Sequence, residues 1–260
     1  MYSVQAAQYD NAPQSIRVAA ALPFSQMIIH DRDSVWVSSS GTLHIGQIAI
    51  NLSFIVPWHP VLPDFPSGAA LQRLEQNINF VRQTIGRLGK SGGLRGLWFD
   101  INPESKQGIY AVSLKERATR MITALREQDI AGAYQAGCSL IGLGGGLTPS
   151  GDDFCAALMT VFNMPGSPFN AEYRQLGEQL ASVSQRQTTY ISQEMLKLAA
   201  SGQARENVGT FLKEIAGCSP DSLAGAVFKV MQAGCLSGTD WAVGLTAGLE
   251  VGKELATIGK

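Results

Sequence analysis

The chain has 260 residues, of which 45% are hydrophobic and 16% are charged, and its formal net charge is −1. This length and composition allow a substantial buried core, in one large domain or two small ones. No cluster of five basic residues occurs. The charge pattern therefore argues against a nucleic acid or an anionic membrane surface as partner. A small molecule or another protein is the expected partner.

The sequence also argues against membrane insertion and secretion. No apolar run approaches the roughly 20 residues that a membrane-spanning helix needs, and no basic segment followed by an apolar core opens the chain. The expected location is therefore cytoplasmic. The four cysteines, Cys138, Cys155, Cys218 and Cys235, contain no C-x-x-C pair, so we expect buried free thiols.

The N-terminal part is rich in residues that favour strands. Strands are predicted over residues 16–22, 27–30, 35–38, 43–46 and 48–56, as a small antiparallel sheet or barrel. Four prolines between residues 57 and 66 then interrupt regular structure. We therefore predict a β-rich part over residues 1–66, including this proline-rich connection, and a mainly helical domain over residues 67–260, an α+β fold.

Helical spacing of apolar residues dominates the second part. A helix is predicted over residues 69–85, and residues 94–99 fit a strand or a buried loop. Ser113 and Glu116 have the spacing of a capping box, which predicts a helix from there to about residue 128. Further helices are predicted over residues 153–162, 171–183, 191–200, 208–215, 222–233 and 241–255.

Glycines recur every fourth position in the last of these helices. Gly244, Gly248 and Gly252 would line one side of it, and each isolated glycine costs a helix roughly 1 kcal/mol. Close approach of another backbone is the expected reason. A ligand lying against the glycine face is the alternative.

The densest chemistry lies in residues 142–153, which read Gly-Leu-Gly-Gly-Gly-Leu-Thr-Pro-Ser-Gly-Asp-Asp. Glycines let backbone N–H groups approach a ligand, and hydroxyls and carboxylates cap a helix start. The segment predicts an anion site formed by Gly144, Gly145, Gly146, Thr148, Ser150, Gly151 and Asp153. A tight turn before a capped helix is the purely structural alternative.

An internal similarity helps to separate scaffold from chemistry. Gln135-Ala136-Gly137-Cys138 recurs as residues 232–235, and Ser-Gly-x-Asp-aromatic follows in both copies, at residues 150–154 and 237–241. Ser150 and Ser237 are thus predicted to be equivalent N-caps, with Asp153 and Asp240 favouring the positive helix ends. Asp152 is matched by Thr239, so the shared scaffold does not explain it.

Asp152 is accordingly the predicted catalytic residue. Because two carboxylates repel a bare phosphate, a cation such as Mg²⁺ held by Asp152 would let the anion bind, or a carboxylate could face an amide or hydroxyl of the ligand. Thr188, Thr189 and Ser192 are further ligand-binding candidates, with helix capping as their alternative role. Lys90 and Arg95 are candidate cations, the alternative being ordinary solvated loop charges.

Over residues 140–154 the chain resembles the bacterial AllH family, and residues 188–202 and 237–240 are similar to it as well. Members of this family include a subunit associated with oxamate carbamoyltransferase, which acts in anaerobic allantoin catabolism, a pathway of purine degradation. The family is also described as a domain of unknown function, and some members are described as carboxylases. The enzyme exchanges a carbamoyl group between oxalurate and phosphate. The chain lacks the Ser-Thr-Arg-Thr signature of ordinary carbamoyltransferases, so such chemistry would be built differently.

The resemblance implies a subunit of a carbamoyltransferase complex, with carbamoyl phosphate, oxamate or another small anion near the glycine-rich segment and with other subunits as partners. Two alternatives stay open at this point. One is a non-catalytic interaction or structural subunit, which would bind nothing small alone. The other is an independent carboxylase, which would show bicarbonate-dependent turnover.

Overall fold

A computed structural model describes residues 2–20, 23–99 and 110–258, except for the side chain of residue 25. The chain divides into two compact units, Met1–Pro60 and Val61–Lys260. The first unit contains short strands and the second consists mainly of helices. The α+β class predicted from the sequence is confirmed.

The first unit contains two small sheets. Strands β1 (Ser3–Ala6) and β2 (Ser15–Val18) pair in parallel, while β3 (Val35–Val37), β4 (Thr42–Ile45) and β5 (Ile48–Asn51) form an antiparallel sheet in that order. Gly46, with φ of +56°, allows the tight turn between β4 and β5. Trp36 stacks on His44 across the sheet, with ring centroids 4.0 Å apart.

The antiparallel sheet confirms the strands predicted near residues 35, 43 and 48, with shorter bounds. The strand predicted over residues 27–30 is wrong, because Asp33 accepts a hydrogen bond from the backbone N–H of His30 and turns the chain there. Strand β1 was not predicted. The predicted strand 16–22 shortens to β2, and residues 21 and 22 lie outside the described residues.

The described residues of the second unit form nine α-helices. They are α1 (Gly68–Leu88), α2 (Ala111–Arg126), α3 (Ile130–Leu140), α4 (Ser150–Phe162), α5 (Ala171–Ser184), α6 (Tyr190–Ala200), α7 (Glu206–Glu214), α8 (Pro220–Met231) and α9 (Ser237–Ile258). Residues Gly93–Leu97 form a 3₁₀ helix with Leu94 and Leu97 buried, so the buried-loop reading of residues 94–99 is closer than the strand.

Helix α4 is the centre of the second unit, since every one of its residues is buried. Helix α9 packs along it through the glycine row. A Cβ on Gly244 would lie 2.6 Å from the Cβ of Ala157, and one on Gly248 would lie 3.1 Å from Val161. The later glycine of α9, Gly248, contacts the later residue of α4, Val161. Helices α4 and α9 therefore run in the same direction. Close helix packing therefore explains the glycines.

A Cβ on Gly252 would likewise lie 2.7 Å from the ring of Phe65. Protein atoms thus occupy the glycine face at all three positions. The alternative of a ligand lying against this face is wrong.

Two helix starts differ from the sequence-based expectation. Helix α2 begins at Ala111, because the carbonyl of Tyr110 already accepts the N–H of Leu114. Ser113 is thus inside the first turn, and the predicted capping box is wrong. Helix α3 was not predicted, although Asp129 is its N-cap and accepts the N–H of Gly132 at 2.9 Å.

No helix in the described part of the chain combines the length and apolarity needed to cross a bilayer. The four cysteines are free thiols, as predicted. The predicted burial of the thiols is correct only for Cys155. Cys138 is half-buried, and Cys218 and Cys235 are exposed.

Candidate functional site

The glycine loop, residues 141–149, links α3 to α4. It is tightly packed at its base, near Gly142, and open at its tip, residues 144–146. Gly142, Gly144 and Gly146 have φ values of +77°, +126° and +93°, which favour glycine. A Cβ on Gly142 would lie 2.3 Å from the carbonyl oxygen of Gln187. Apart from the adjoining residues of the loop, no atom of the described residues lies within 4 Å of the Cβ position of Gly145 or Gly146, so a ligand can approach the tip.

Three side chains fasten this loop. Asp152 Oδ1 accepts the backbone N–H of Gly142 at 2.7 Å, and its Oδ2 accepts the hydroxyl of Thr188. The hydroxyl of Thr189 donates to the carbonyl of Leu147. Thr148 Oγ1 and Ser237 Oγ lie 2.6 Å apart and share a hydrogen bond. The base and the far end of the loop are therefore held while the tip is not.

Several backbone donors of the loop are left over, including those at its tip. Among the residues that the structure describes, the N–H groups of Gly144, Gly145 and Gly146 donate to no protein acceptor. The neighbouring N–H groups of Leu143 and Gly151 are used inside the turn. Free N–H groups beside a helix start are a recurrent anion-binding arrangement.

The starts of α4 and α9 lie side by side. The Thr148–Ser237 hydrogen bond joins them, and Trp241 Nε1 donates to Asp153 Oδ1 at 3.1 Å. Because both helices run in the same direction, their positive N-terminal ends face the same side of the unit. The glycine loop thus stands at two positive helix ends.

Two buried carboxyl groups lie at these ends. Asp153 and Asp240 are both fully buried, and Asp240 Oδ1 accepts the N–H of Leu94 at 2.6 Å. Within the described residues, Oδ2 of each has no hydrogen-bond partner. Burial raises the pKa of Asp240 to about 7, against the N–H of Leu94 and the hydroxyl of Ser150, which lower it. Burial and the charge of Asp240 raise the pKa of Asp153 well above its usual value.

Asp152 is buried as well, and burial raises its pKa, although the hydrogen bonds from Thr188 and Gly142 lower it. Ser192 is fully buried beside it and lowers that pKa further, while its hydroxyl meets no partner at full hydrogen-bond geometry among the described residues. Both carboxyl oxygens of Asp152 thus serve to hold the loop against the start of α6.

The structure brings the predicted hydroxyl cluster to the loop. Thr188 binds Asp152, and Thr189 is the N-cap of α6, accepting the N–H of Ser192 at 3.2 Å. The capping role given as the alternative is thus confirmed for Thr189, which binds Leu147 as well. Their role toward a ligand stays a prediction.

Ser150, Gly151 and Asp153 lie beneath the loop instead of at its surface, because all three are buried in the first turn of α4. A Cβ on Gly151 would lie 2.0 Å from the carbonyl oxygen of Leu140. The prediction of Ser150 as N-cap is wrong. Pro149 holds that position and accepts the N–H of Asp152 through its carbonyl.

The internal similarity holds in one of its two parts. The Ser-Gly-x-Asp segments both begin helices, and Gly238 meets the carbonyl of Val230 as Gly151 meets that of Leu140. The Gln-Ala-Gly-Cys copies are not equivalent, since residues 135–138 lie inside α3 and residues 232–235 follow α8. Ser237 and Trp241 were not predicted as site residues. The signal that could have found them is the similarity between residues 237–241 and residues 150–154.

No group of three or more histidine, cysteine, aspartate or glutamate side chains is placed to hold a metal ion in the described residues. Asp152 therefore lies in no assembled Mg²⁺ site within the described residues, and its role as a metal ligand stays a prediction. The arrangement fits an anion bound by backbone N–H groups without a bridging cation.

Comparison with known protein families gives a match to part of the chain. Residues 140–249 match the family model described as oxamate carbamoyltransferase subunit AllH, which supports the resemblance carried by the glycine-rich segment. The matched region begins at the end of α3 and includes the whole glycine loop and most of α9. No solved structure matches the chain.

Proposed function

Because residues 140–249 match the AllH family model, we propose that the chain serves as a subunit of an oxamate carbamoyltransferase complex and binds a small anion at the glycine loop. The anion is a phosphate, carbamoyl phosphate or oxamate. The observation that carries the proposal is the row of free N–H groups at Gly144, Gly145 and Gly146 on an otherwise fastened loop.

Fastening matters because a flexible loop would lose conformational entropy on binding. Asp152, Thr189 and Ser237 already hold the backbone on both sides of the tip. The free donors can therefore meet a ligand oxygen with little further ordering. In this proposal Asp152 acts as a positioning residue for the loop, and a direct role in chemistry stays a prediction.

The carboxyl groups below the loop do not prevent anion binding. Charged carboxylates would cancel the positive helix ends and repel the ligand. Burial raises the pKa of Asp153 well above its usual value and that of Asp240 to about 7. Near neutral pH Asp240 therefore carries less than a full charge, and the raised pKa of Asp153 acts in the same direction, so the helix ends retain part of their positive potential.

The test is the thermal stability of the purified protein with phosphate, carbamoyl phosphate, oxamate and oxalurate, each with and without Mg²⁺. A ligand at 100 times its dissociation constant stabilises by about 2.7 kcal/mol, which raises the Tm of a domain of this size by about 5–10 °C. We expect this shift with at least one anion.

A matched pair of variants tests whether the ligand binds at the tip of the loop. Gly145→Pro removes one free N–H, whereas Gly145→Ala retains it and adds a Cβ that meets no atom of the described residues within 4 Å beyond the adjoining loop residues. The proline variant should lose most of the shift and the alanine variant should retain more of it. An unchanged shift in Gly145→Pro, or no shift of the wild-type protein with any anion, would contradict the proposed site.

A docking role for the same region is a second candidate. Leu147, whose carbonyl binds Thr189, is 69% exposed, and Tyr190 is 60% exposed. Exposed apolar side chains beside a fastened loop suit contact with another subunit. Under this reading Leu147→Asp should prevent co-elution with the other subunits of the complex in size-exclusion chromatography, while the protein alone binds no small anion.

A further inference from the structure

A lysine from outside the matched region lies beside the helix ends that flank the glycine loop. The N–H of Lys90 donates to Thr239 Oγ1 at 3.1 Å, and its Nζ donates to the carbonyl of Gly234 at 2.5 Å. Thr239 is in the first turn of α9 and Gly234 lies just before that helix. Lys90 is thus fastened by both its backbone and its side chain at the start of α9.

This position is electrostatically unfavourable for a cation in isolation. The N-terminal end of a helix is positive and prefers anions. The nearby Asp240 is buried and its pKa is about 7, so it offers only partial compensation. No carboxylate of the described residues lies within ion-pair distance of Lys90. The ammonium group is only half-buried and is bound to one carbonyl, so solvent shares in its stabilisation, and it has no fixed counter-charge among the described residues.

Neighbouring groups lead from Lys90 through Gly234 and Ser237 to the glycine loop. A Cβ on Gly234 would lie 3.5 Å from Ser237 Oγ, and Ser237 Oγ is 2.6 Å from Thr148 Oγ1. An ammonium group has three donors, and Gly234 uses one of them. Arg95, the other candidate cation, is turned to the carbonyl of Gly86 and the hydroxyl of Ser91.

We propose that Lys90 is the counter-charge of the anion bound at the glycine loop, and that it selects a doubly charged phosphoryl group over a singly charged carboxylate. The inference rests on the proposed function and deepens it. The ligand site is then composed of two segments, the glycine loop with its free N–H groups and the chain around Lys90. Inorganic phosphate and the phosphoryl group of carbamoyl phosphate share the chemistry required.

The test measures dissociation constants of phosphate, carbamoyl phosphate and oxamate by calorimetry at fixed ionic strength. Lys90→Gln should weaken phosphate binding about tenfold or more, since hydrogen bonds to charged groups are among the strongest. Oxamate, with a single charge, should weaken less. Lys90→Arg should restore part of the phosphate affinity. The dissociation constants of phosphate and carbamoyl phosphate are compared with each other, and the ligand that binds more tightly is identified as the source of the phosphoryl group.

Lys229→Gln is the matched control, because Lys229 is exposed on α8 and its loss changes the net charge equally. If Lys90→Gln and Lys229→Gln weaken phosphate by the same factor, only the overall charge matters and the role of Lys90 is refuted. Equal weakening of phosphate and oxamate in Lys90→Gln would refute the charge selectivity. If the wild-type protein binds none of the three anions, the proposed function itself fails.

Discussion

Asp240 offers a quantitative test of the buried carboxyl groups beneath the glycine loop. The side chain is fully buried between α9 and the 3₁₀ helix Gly93–Leu97, and its pKa rises from 3.8 to about 7. A folded-state pKa above the unfolded value means that the folded protein binds more protons between these pH values. The stability contributed by this group is therefore complete below about pH 4 and is lost as the pH rises through about 7.

The size of this loss follows from the same shift. Each pKa unit of difference between the folded and unfolded protein is worth about 1.4 kcal/mol, so ionisation of Asp240 weakens the fold by about 4 kcal/mol. The variant Asp240→Asn does not ionise, and its amide oxygen can still accept the N–H of Leu94. Its free energy of unfolding, relative to wild type, should rise by about 4 kcal/mol between pH 4 and pH 8.

Urea unfolding followed by circular dichroism at several pH values measures this difference. Asp221→Asn is the control, because it makes the same chemical change at an exposed position in the first turn of α8. Other carboxyl groups titrate equally in wild type and variant, so the difference isolates Asp240 and the groups that interact with it. A difference that stays constant between pH 4 and pH 8 would refute the burial argument.

Three further substitutions test the packing around the site by urea unfolding. Gly244→Ala should lower the free energy of unfolding by about 1–3 kcal/mol, because its Cβ would lie 2.8 Å from the carbonyl oxygen of Phe154. Gly225→Ala on α8, where no atom of the described residues outside the helix's own backbone lies within 4 Å of the Cβ position, should instead raise it by up to about 1 kcal/mol. Trp241→Phe should lower it by about 1–3 kcal/mol, since Asp153 Oδ1 loses its donor. The opposite sign for either glycine, or no change for Trp241→Phe, would contradict the packing described.

The helical part of the fold was largely predictable from local sequence patterns. The apolar spacing of α1, α4 and α5 gave their position within a few residues, because each helix buries one face or, for α4, its whole surface. Asp129 was a usable cap signal for α3, yet a short helix rich in alanine and glycine has no strong apolar stripe. Local patterns thus found helices with a clear apolar stripe, including the shorter α7, and missed α3.

The site was predictable in its parts and not in its connections. The glycine-rich segment and the hydroxyls near residue 189 were recognised separately, and the structure joins them through Asp152 and Leu147. The bond from Trp241 to Asp153 spans 88 positions, so no local pattern encodes it. The exposure of Ser150 was misjudged for the same reason, because burial beneath the loop depends on how α9 packs against α4.

The limits of the family match do not coincide with those of an autonomous folding unit. Residues 140–249 omit Leu94, whose N–H satisfies Asp240, and they end before Glu250, which pairs with Arg82 and Arg126. Helices α1 and α2, both outside the match, pack on α9 and α3. A fragment trimmed to the family boundaries would expose the core surface that these helices cover. Expression of the helical unit should therefore start upstream of α1 and run through the end of α9.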